Sequence, residues 1–324
     1  MIKKYFSNRY SVLDVLSLLL YKIKNKQPLS VIRLGDGEGR LLGYPDFVAK
    51  TGGAESLDHS LNIWFGHADF SKNSLVDLSG QLREAVENAD VIGLPRIKQY
   101  DANIAYRNVY DAMEQFNLNT PSHIYTDAAL HRYLQFGLFY KQILNGRDFL
   151  GLVTGRKNLA TIIKDTFNIK HIESHLIPEE AHYSKHPVAE HFPNRFDELK
   201  DEIKVPYAGA VYLVGAGALG KIYCHWIKEA GGIAIDIGCI CDSWSKEGRS
   251  MHEYNNIDHC NDPSFLLSGL SSGLSSRLSS ELSSEKQSLE KQIDRYNYIV
   301  DDFNIDTTRI TSDHLDAFIT EHGK

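Results

Sequence analysis

Short apolar runs alternate with helix-like segments along most of the chain, and this alternation restricts the fold more than any other feature. Seven runs rich in Val, Ile and Leu are each short enough to form one strand; they lie at residues 29–34, 89–96, 122–127, 148–156, 169–178, 209–217 and 232–240. Nearly continuous apolar strands separated by helices are typical of a parallel sheet that is covered on both faces. The sequence therefore predicts an α/β fold with a Rossmann-like, mainly parallel sheet.

Apolar residues recur at helical spacing between these runs. The segments with this pattern lie at 11–25, 78–89, 128–144, 158–167, 194–203 and 220–230. The loops that follow parallel strands meet at one edge of a sheet, which is where α/β proteins bind their ligands. We therefore expect Asp36, Pro95, Gly155 and Gly215 to lie near one another.

The sequence changes character towards its C-terminal end. Residues 267–284 repeat Leu-Ser-Ser with a period of four, which is low in complexity and does not match the turn of an α-helix. We divide the chain into a main domain at 1–262, a linker or marginal helix at 263–288 and a helical C-terminal extension at 289–324. The alternatives for the repeat are a spacer and a segment for oligomerisation or for docking a partner.

Charge and hydropathy exclude two classes of protein. The formal net charge of −7 argues against a nucleic-acid-binding protein, which would normally have an excess of clustered basic residues. The apolar run at 12–20 is interrupted by Asp14 and is too short to cross a membrane, and no signal peptide precedes it. We expect a cytoplasmic protein with no transmembrane segment, and a peripheral position at the inner face of the membrane remains open.

The first candidate site follows the first predicted strand, in the sequence RLGDGEG at 33–39. Glycines such as Gly35 and Gly37 let a backbone approach a ligand closely, and Asp36 and Glu38 are spaced to converge on one hard cation. Such a cation would neutralise the charge on a departing nucleotide diphosphate, with Arg33 beside it. The alternative is a solvated Asp-Gly turn.

The second candidate site, GAGALGK at 215–221, follows a strand and opens a helix, which is the context that a GxGxxG phosphate-binding loop requires. Gly215, Gly217 and Lys221 would then contact phosphate. Asp236 lies where a dinucleotide-binding fold places the acid that binds ribose. This arrangement supports a second hypothesis, a nicotinamide-dependent oxidoreductase.

Three further groups supply candidate catalytic residues. Asp242 would face an acceptor hydroxyl or the metal, and Trp244 would either stack on a sugar or base or lie in the core. Glu180 and His182 are candidates for the base that takes the proton of an acceptor, although they also fit the solvated start of a helix. Arg156 is a candidate clamp for diphosphate.

These motifs together resemble those of the bacterial GT-D fold glycosyltransferases, a family first catalogued as a domain of unknown function. The likeness rests on VIRLGDGEG at 31–39, IGLPR at 92–96, VTGRKN at 153–158 and the continuous stretch 212–244. The resemblance implies that Asp36 and Glu38 bind a divalent metal, Mn²⁺ or Mg²⁺. By the same likeness, the 215–221 loop and Asp236 belong to the side of the site that binds the sugar donor.

The resemblance also implies the reaction: transfer of a hexose from a UDP-sugar to a glycan acceptor in surface polysaccharide, O-antigen or glycoprotein assembly. The hexose would be galactofuranose, galactose or glucose, the acceptor includes lipid-linked glycans, and other glycosyltransferase modules are candidate partners. An NAD(P)-dependent oxidoreductase and a non-catalytic sugar-nucleotide-binding module remain the alternatives.

Overall fold

The computed structural model describes most of the chain up to residue 260. The described residues are 2–7, 9–35, 37–46, 54–66, 70–136, 139–181, 191–248, 251 and 255–260. The candidate residues Asp36 and His182 lie outside them, as do the segments 263–288 and 289–324. The predicted role of those two side chains, the helical C-terminal extension and the division into domains stay predictions.

The described residues form a seven-stranded sheet whose strand order is β3-β2-β1-β7-β6-β4-β5. Its strands are β1 (Leu29–Arg33), β2 (Val91–Leu94), β3 (Ile124–Asp127), β4 (Phe149–Thr154), β5 (His171–Leu176), β6 (Val211–Gly215) and β7 (Ile233–Asp236). Every neighbouring pair of strands is parallel. The predicted α/β fold is confirmed, and each of the seven apolar runs contains one strand.

Helices connect the strands. The α-helices are Lys4–Ser7, Val12–Lys24, Glu38–Leu42, Ala54–Phe65, Lys72–Glu87, Ile97–Ala102, Ile104–Gln115, Leu130–Phe136, Phe139–Leu144, Leu159–Phe167, Phe196–Glu202, Gly220–Glu229 and Ile240–Ser245. A π-helical turn spans His191–Arg195 and a 3-10 turn spans Ile257–Cys260. None of the described helices is both long enough and apolar enough to cross a bilayer.

Two helical predictions differ from the structure by more than two residues at a boundary or in the number of helices. The helix predicted to begin at residue 78 begins at Lys72, because the Ser71 hydroxyl accepts a hydrogen bond from the Ser74 amide and caps a polar first turn. The segment predicted as one helix at 128–144 contains two, Leu130–Phe136 and Phe139–Leu144. Periodicity locates the apolar face of a helix but does not locate its caps.

The sheet separates two hydrophobic cores, and strand β6 shows how. Its side chains alternate between the faces, so that Tyr212 and Val214 pack in one core and Val211 and Leu213 pack in the other. Helices Lys72–Glu87, Ile104–Gln115 and Gly220–Glu229 cover the first face, and helices Val12–Lys24, Phe139–Leu144 and Leu159–Phe167 cover the second. The prediction of helices on both faces is confirmed.

A crevice opens between the ends of β6 and β4. The chain steps from β6 to β7 towards one edge of the sheet and from β4 to β5 towards the other. Because such crossovers are right-handed, the helices that follow β6 and β4 lie on opposite faces, and their side chains Ile222 and Ile163 belong to different cores. The loops that begin these crossovers diverge, which leaves space for a ligand.

Trp244 lies in the second core. It is 0% exposed, its ring centroid is 4.9 Å from that of Tyr140 and 5.7 Å from that of Phe167, and its indole N–H donates to the Gln135 side chain at 2.9 Å. The hypothesis that Trp244 stacks on a sugar or base is therefore wrong, because no part of the ring is accessible to a ligand.

We expect Trp244→Ala to lower the free energy of unfolding by about 3–5 kcal/mol, because it empties a fully buried site and removes the indole N–H that donates to Gln135. Urea denaturation followed by circular dichroism measures the change. Tyr21→Ala is the control, since Tyr21 is 56% exposed and its removal should cost no more than about 0.5 kcal/mol. Equal losses in the two variants would contradict this packing.

Candidate active site

A cavity of about 570 Å³ lies at the carboxyl ends of the central strands. Its walls include Arg33 from β1, Asp236 from β7, Gly215 from β6 and Thr154 from β4, which are four adjacent strands of the sheet. The expected gathering of loops is confirmed for Gly155 and Gly215, which line this cavity; Asp36 is outside the described residues, and its neighbours Gly35 and Gly37 line the cavity as well. The cavity therefore occupies the crevice that the topology predicts.

Pro95 is the exception to this expectation. It follows β2, one strand further from the crevice than β1, and its carbonyl oxygen accepts a hydrogen bond from Arg9 at 2.6 Å and another from Tyr110. Pro95 thus helps to attach the N-terminal segment to the end of β2, and it is not among the residues that line the cavity.

Lys221 joins both candidate motifs on the floor of the cavity. Its Nζ lies 2.7 Å from Oε1 of Glu38 and 3.1 Å from Oδ2 of Asp236, and it donates to the carbonyl of Gly217 at 2.9 Å. The Lys221 side chain is only 4% exposed. The two motifs, at 33–39 and 215–221, are far apart in sequence but form one site.

Arg33 completes this buried network from the other side. Its Nη2 lies 3.0 Å from Oδ1 of Asp236, and its Nε donates to the Asp236 carbonyl at 3.1 Å. A third bond runs from Nη1 to the carbonyl of Ala128 at 3.2 Å. We call the four side chains of Arg33, Glu38, Lys221 and Asp236 the buried ion network.

The network keeps Asp236 and Lys221 charged in spite of burial. Burial opposes the charge on Asp236, but Arg33 and Lys221 outweigh it and lower the pKa of that carboxyl. Burial likewise opposes the charge on Lys221, and Asp236 and Glu38 together raise its pKa. When all four groups are ionised, two positive and two negative charges cancel, so a bound diphosphate would add negative charge that the network alone does not balance.

The chemistry of Glu38 suits a divalent metal. Its Oε1 contacts Lys221 and its Oε2 accepts the Gly35 amide at 2.9 Å, which leaves each oxygen one of its two acceptor positions. Among the described residues, no group of three or more His, Cys, Asp or Glu side chains is arranged to hold a metal by itself. Mg²⁺ and similar cations usually take one or two carboxylates and complete their shell with substrate phosphate, so Glu38 fits such a site.

The GxGxxG loop, residues 215–220, packs closely against a neighbouring helix and also offers backbone amide groups to an anion. A Cβ at Gly215 would overlap the Cys241 sulfur, so packing against the helix Ile240–Ser245 alone requires this glycine. Gly217 has a φ of +55° and lines the cavity just before the helix Gly220–Glu229. Amide groups at the start of a helix favour an anion, which agrees with the predicted phosphate contact.

A second charged group lies at the β4 end of the cavity. Arg156 donates from Nε to Oδ1 of Asp242 at 2.9 Å and from Nη1 to Oε1 of Glu179 at 2.6 Å. Burial opposes the charge of Arg156, but Asp242 and Glu179 outweigh it and raise its pKa. Arg156 therefore orients two carboxylates in this structure, and it would have to exchange one of them in order to clamp a diphosphate.

Glu180 is the remaining described candidate for a base. It lines the cavity together with Asp242 and lies over the Gly217 turn, where its Oε1 would be 3.7 Å from a Cβ at that glycine. The structure thus brings together two of the three predicted catalytic residues, and the third, His182, lies outside the described residues. All described candidates for donor binding line the same cavity: Arg33, Gly35, Gly37, Arg156, Gly215, Gly217, Lys221 and Asp236.

Sequence reasoning missed several residues of the cavity wall. His59, Ile63 and Trp64 come from the helix Ala54–Phe65. In the sequence, only their helical spacing indicated that their side chains could lie on the same side of a helix. His191 was also missed; its Nε2 lies 2.9 Å from the Tyr223 hydroxyl, and burial, with a smaller effect from Arg195, lowers its pKa to about 3. His191 is therefore neutral at physiological pH.

We expect Asp236→Asn to lower the free energy of unfolding by about 3–5 kcal/mol at pH 7, because it leaves Arg33 and Lys221 buried with too little negative charge. The pKa of Asp236 is lowered on folding from 3.8, so its contribution is complete above that value and is lost as the pH falls through the lowered pKa. Urea denaturation at pH 7, 5 and 3 should therefore show the two proteins converging only below about pH 4. A difference that is independent of pH would contradict the network.

Comparison with known proteins gives one family. The model of the GT-D-like family, described as a GT-D fold-like domain, matches residues 10–244. Two solved structures are similar, each with 16% sequence identity and a TM-score of 0.49. A comparison with curated protein sequences found no match.

The two structures are described in similar words. One, a new glycosyltransferase (DUF1792) from Streptococcus sanguinis, aligns over 76% of this chain and 87% of its own. The other, the domain of unknown function 1792 with a distinct glycosyltransferase fold, aligns over 88% of this chain and 95% of its own.

Proposed function

The chain belongs to the GT-D-like family and is a glycosyltransferase, and we propose that it transfers a hexose from a UDP-sugar to a glycan hydroxyl with the help of a divalent metal. One observation supports this proposal most directly. Glu38 of the GDGEG motif and Lys221 of the GxGxxG loop are 2.7 Å apart in one cavity. A nucleotide diphosphate needs both features, since one can hold its cation and the other its phosphate oxygens.

The donor diphosphate would lie over the buried ion network. The loop at Gly215 and Gly217 offers amide groups, and Arg33 and Lys221 offer positive charge beneath them. These two cations are already paired with Glu38 and Asp236, so the added negative charge of a diphosphate calls for a further cation.

Asp36 and Glu38 are the proposed ligands of that cation, which would be Mn²⁺ or Mg²⁺. When bound, the metal would offset the charge that develops on the departing diphosphate. The contacts of Glu38 with Lys221 and with the Gly35 amide fix the orientation of its carboxylate before any donor arrives. Such preorganisation reduces the rearrangement that binding would otherwise require.

The acceptor would enter at the β4 end of the cavity. Asp242 is held there by Arg156 at 2.9 Å and is the proposed base that takes the proton of the attacking hydroxyl, with Glu180 and His182 as the other candidates. A base that faces the anomeric carbon from the side opposite the diphosphate would favour inversion of configuration.

The oxidoreductase hypothesis fits the structure less well. Asp236, which would bind the ribose of a dinucleotide, is 3% exposed and is paired with both Arg33 and Lys221. Gly215 is already required by its contact with Cys241. The two residues that suggested a dinucleotide therefore have roles within the protein itself. A non-catalytic sugar-nucleotide-binding module would bind UDP without transfer, which turnover measurements distinguish.

The biological setting is a proposal that rests on the family resemblance alone. The donor hexose would be galactofuranose, galactose or glucose, and the acceptor a growing surface glycan, lipid-linked or attached to a protein. That role would place the enzyme in the cytoplasm or at the inner face of the membrane. Other glycosyltransferase modules, or a second copy bound through residues 289–324, would be its partners.

We expect Glu38→Gln and Asp36→Asn each to weaken Mn²⁺-dependent binding of UDP at least about tenfold, since each removes a charged ligand of the cation. Isothermal titration calorimetry with and without Mn²⁺ measures the change. Asp77→Asn, which alters an exposed carboxylate on the helix Lys72–Glu87, is the matched control. Metal-independent UDP binding that is equal in all four proteins would contradict the proposed metal site.

We expect Asp242→Asn to reduce transfer about 10²- to 10⁴-fold, the usual contribution of a general base, while UDP binds within about twofold of wild type. Single-turnover assays with a UDP-hexose give the rate, and calorimetry gives the affinity. Glu180→Gln tested in parallel assigns the role: a large loss in that variant, with transfer by Asp242→Asn unchanged, would move the base from Asp242 to Glu180.

A further inference from the structure

One side of the cavity carries aromatic side chains, whereas its floor is charged. The helix Ala54–Phe65 contributes His59, Ser60, Ile63, Trp64 and Phe65 to the lining, and we call the side chains of His59, Ile63, Trp64 and Phe65 the aromatic wall. The floor below carries the buried ion network. A ligand that satisfies both surfaces has a flat or apolar ring at a short distance from an anionic group.

Trp64 is the member of the aromatic wall that is best placed to hold a ring. Phe65 is 5% exposed and packs against His191 and Phe192, so it anchors the end of the helix in the core. Trp64 is only half-buried and borders the cavity, and its ring meets that of Phe65 edge-on with a centroid distance of 6.0 Å. A large aromatic side chain is thus held in place while part of it still faces the ligand space.

Gly37 sets the position of this ring. A Cβ at Gly37 would overlap the six-membered ring of Trp64, so only glycine permits the indole to lie directly against the GDGEG loop. The next residue, Glu38, reaches Lys221 at 2.7 Å. The indole is therefore adjacent to the place where the proposed cation and diphosphate would bind.

The two ends of the cavity carry different side chains. Trp64 lies against Gly37 in the loop after β1, and the carboxylates of Asp242 and Glu179 contact Arg156 in the loop after β4; these two strands are three strand spacings apart in the order β1-β7-β6-β4. At a spacing of ~4.8 Å, this is a span of about 14 Å. A diphosphate over the central strands would leave room for one ring on each side.

We propose that Trp64 stacks on the nucleobase of the donor, so that the nucleoside end binds at the β1 side and the transferred sugar points towards Asp242. This inference rests on the proposed function, because it assumes a nucleotide diphosphate in the cavity. Stacking of a base on an aromatic side chain does not depend on base-specific hydrogen bonds. Trp64 would therefore increase the affinity for the nucleotide and set the orientation of the donor in the cavity. Selection among bases would come from other contacts.

The test compares ligands with and without a base in variants of Trp64. Trp64→Leu removes the aromatic face and should weaken binding of UDP about 10- to 100-fold in the presence of Mn²⁺. Trp64→Phe keeps an aromatic ring and should retain most of the affinity. Inorganic pyrophosphate, which has no base, should bind all three proteins alike, and calorimetry measures each affinity.

Intrinsic fluorescence supplies a second readout and a matched control. The chain has three tryptophans; Trp244 is fully buried, and Trp226 packs against Phe196 and Tyr223 away from the cavity lining. UDP should change the emission of wild type and of Trp226→Phe, and this change should be lost in Trp64→Phe. Circular dichroism confirms that each variant is folded.

Four outcomes would overturn the inference, and the last of them would overturn the proposed function as well. Unchanged UDP affinity in Trp64→Leu would show that the ring holds no base, and an equal loss for pyrophosphate would show that the variant only disturbs the anion site. If Trp64→Leu binds UDP normally but loses the added affinity of wild type for a UDP-hexose, Trp64 contacts the sugar instead. In these cases the proposed function survives, whereas wild-type protein that binds no UDP with any metal would overturn both.

Discussion

The buried ion network is the interaction on which the rest of the site depends. Charged groups are costly to bury unless they are paired, and here two cations and two carboxylates satisfy one another beneath the cavity. The network joins the end of β1, the start of the helix Glu38–Leu42, the end of β7 and the start of the helix Gly220–Glu229. Its geometry therefore fixes the relative positions of the two glycine-rich loops.

This constraint gives the cavity its chemical organisation. The network forms a floor without excess charge, the aromatic wall closes one side, and Arg156 holds two carboxylates at the far end. A dianionic donor placed on such a floor needs an added cation, which connects the proposed metal with the observed pairing of Lys221 and Arg33. The same pairing explains why Asp236 is poorly suited to bind a ribose hydroxyl, although its position in the sequence suggests that role.

The fold was predictable because its strands and helices leave patterns in short stretches of sequence. Much of the site was not, because it depends on contacts between distant stretches. Apolar runs and helical periods mark each strand and most helices, and the glycine-rich loops are recognisable where they follow strands. The ion pairs of Lys221 with Glu38 and Asp236 depend on strand order, which a single sequence does not state. The same reason applies to two tryptophans: Trp244, for which the sequence left stacking or core open, lies in the core, and Trp64, which the sequence did not single out, lines the cavity.

The central claim is that the two glycine-rich loops form one site for a nucleotide diphosphate. Hydrogen–deuterium exchange tests it most directly, because exchange follows the amides of both loops in one experiment. The account predicts that a UDP-hexose with Mn²⁺ slows exchange in peptides covering residues 33–40 and 214–222 together, and that NADH slows neither. Protection of 214–222 alone, or protection by NADH without metal, would contradict it.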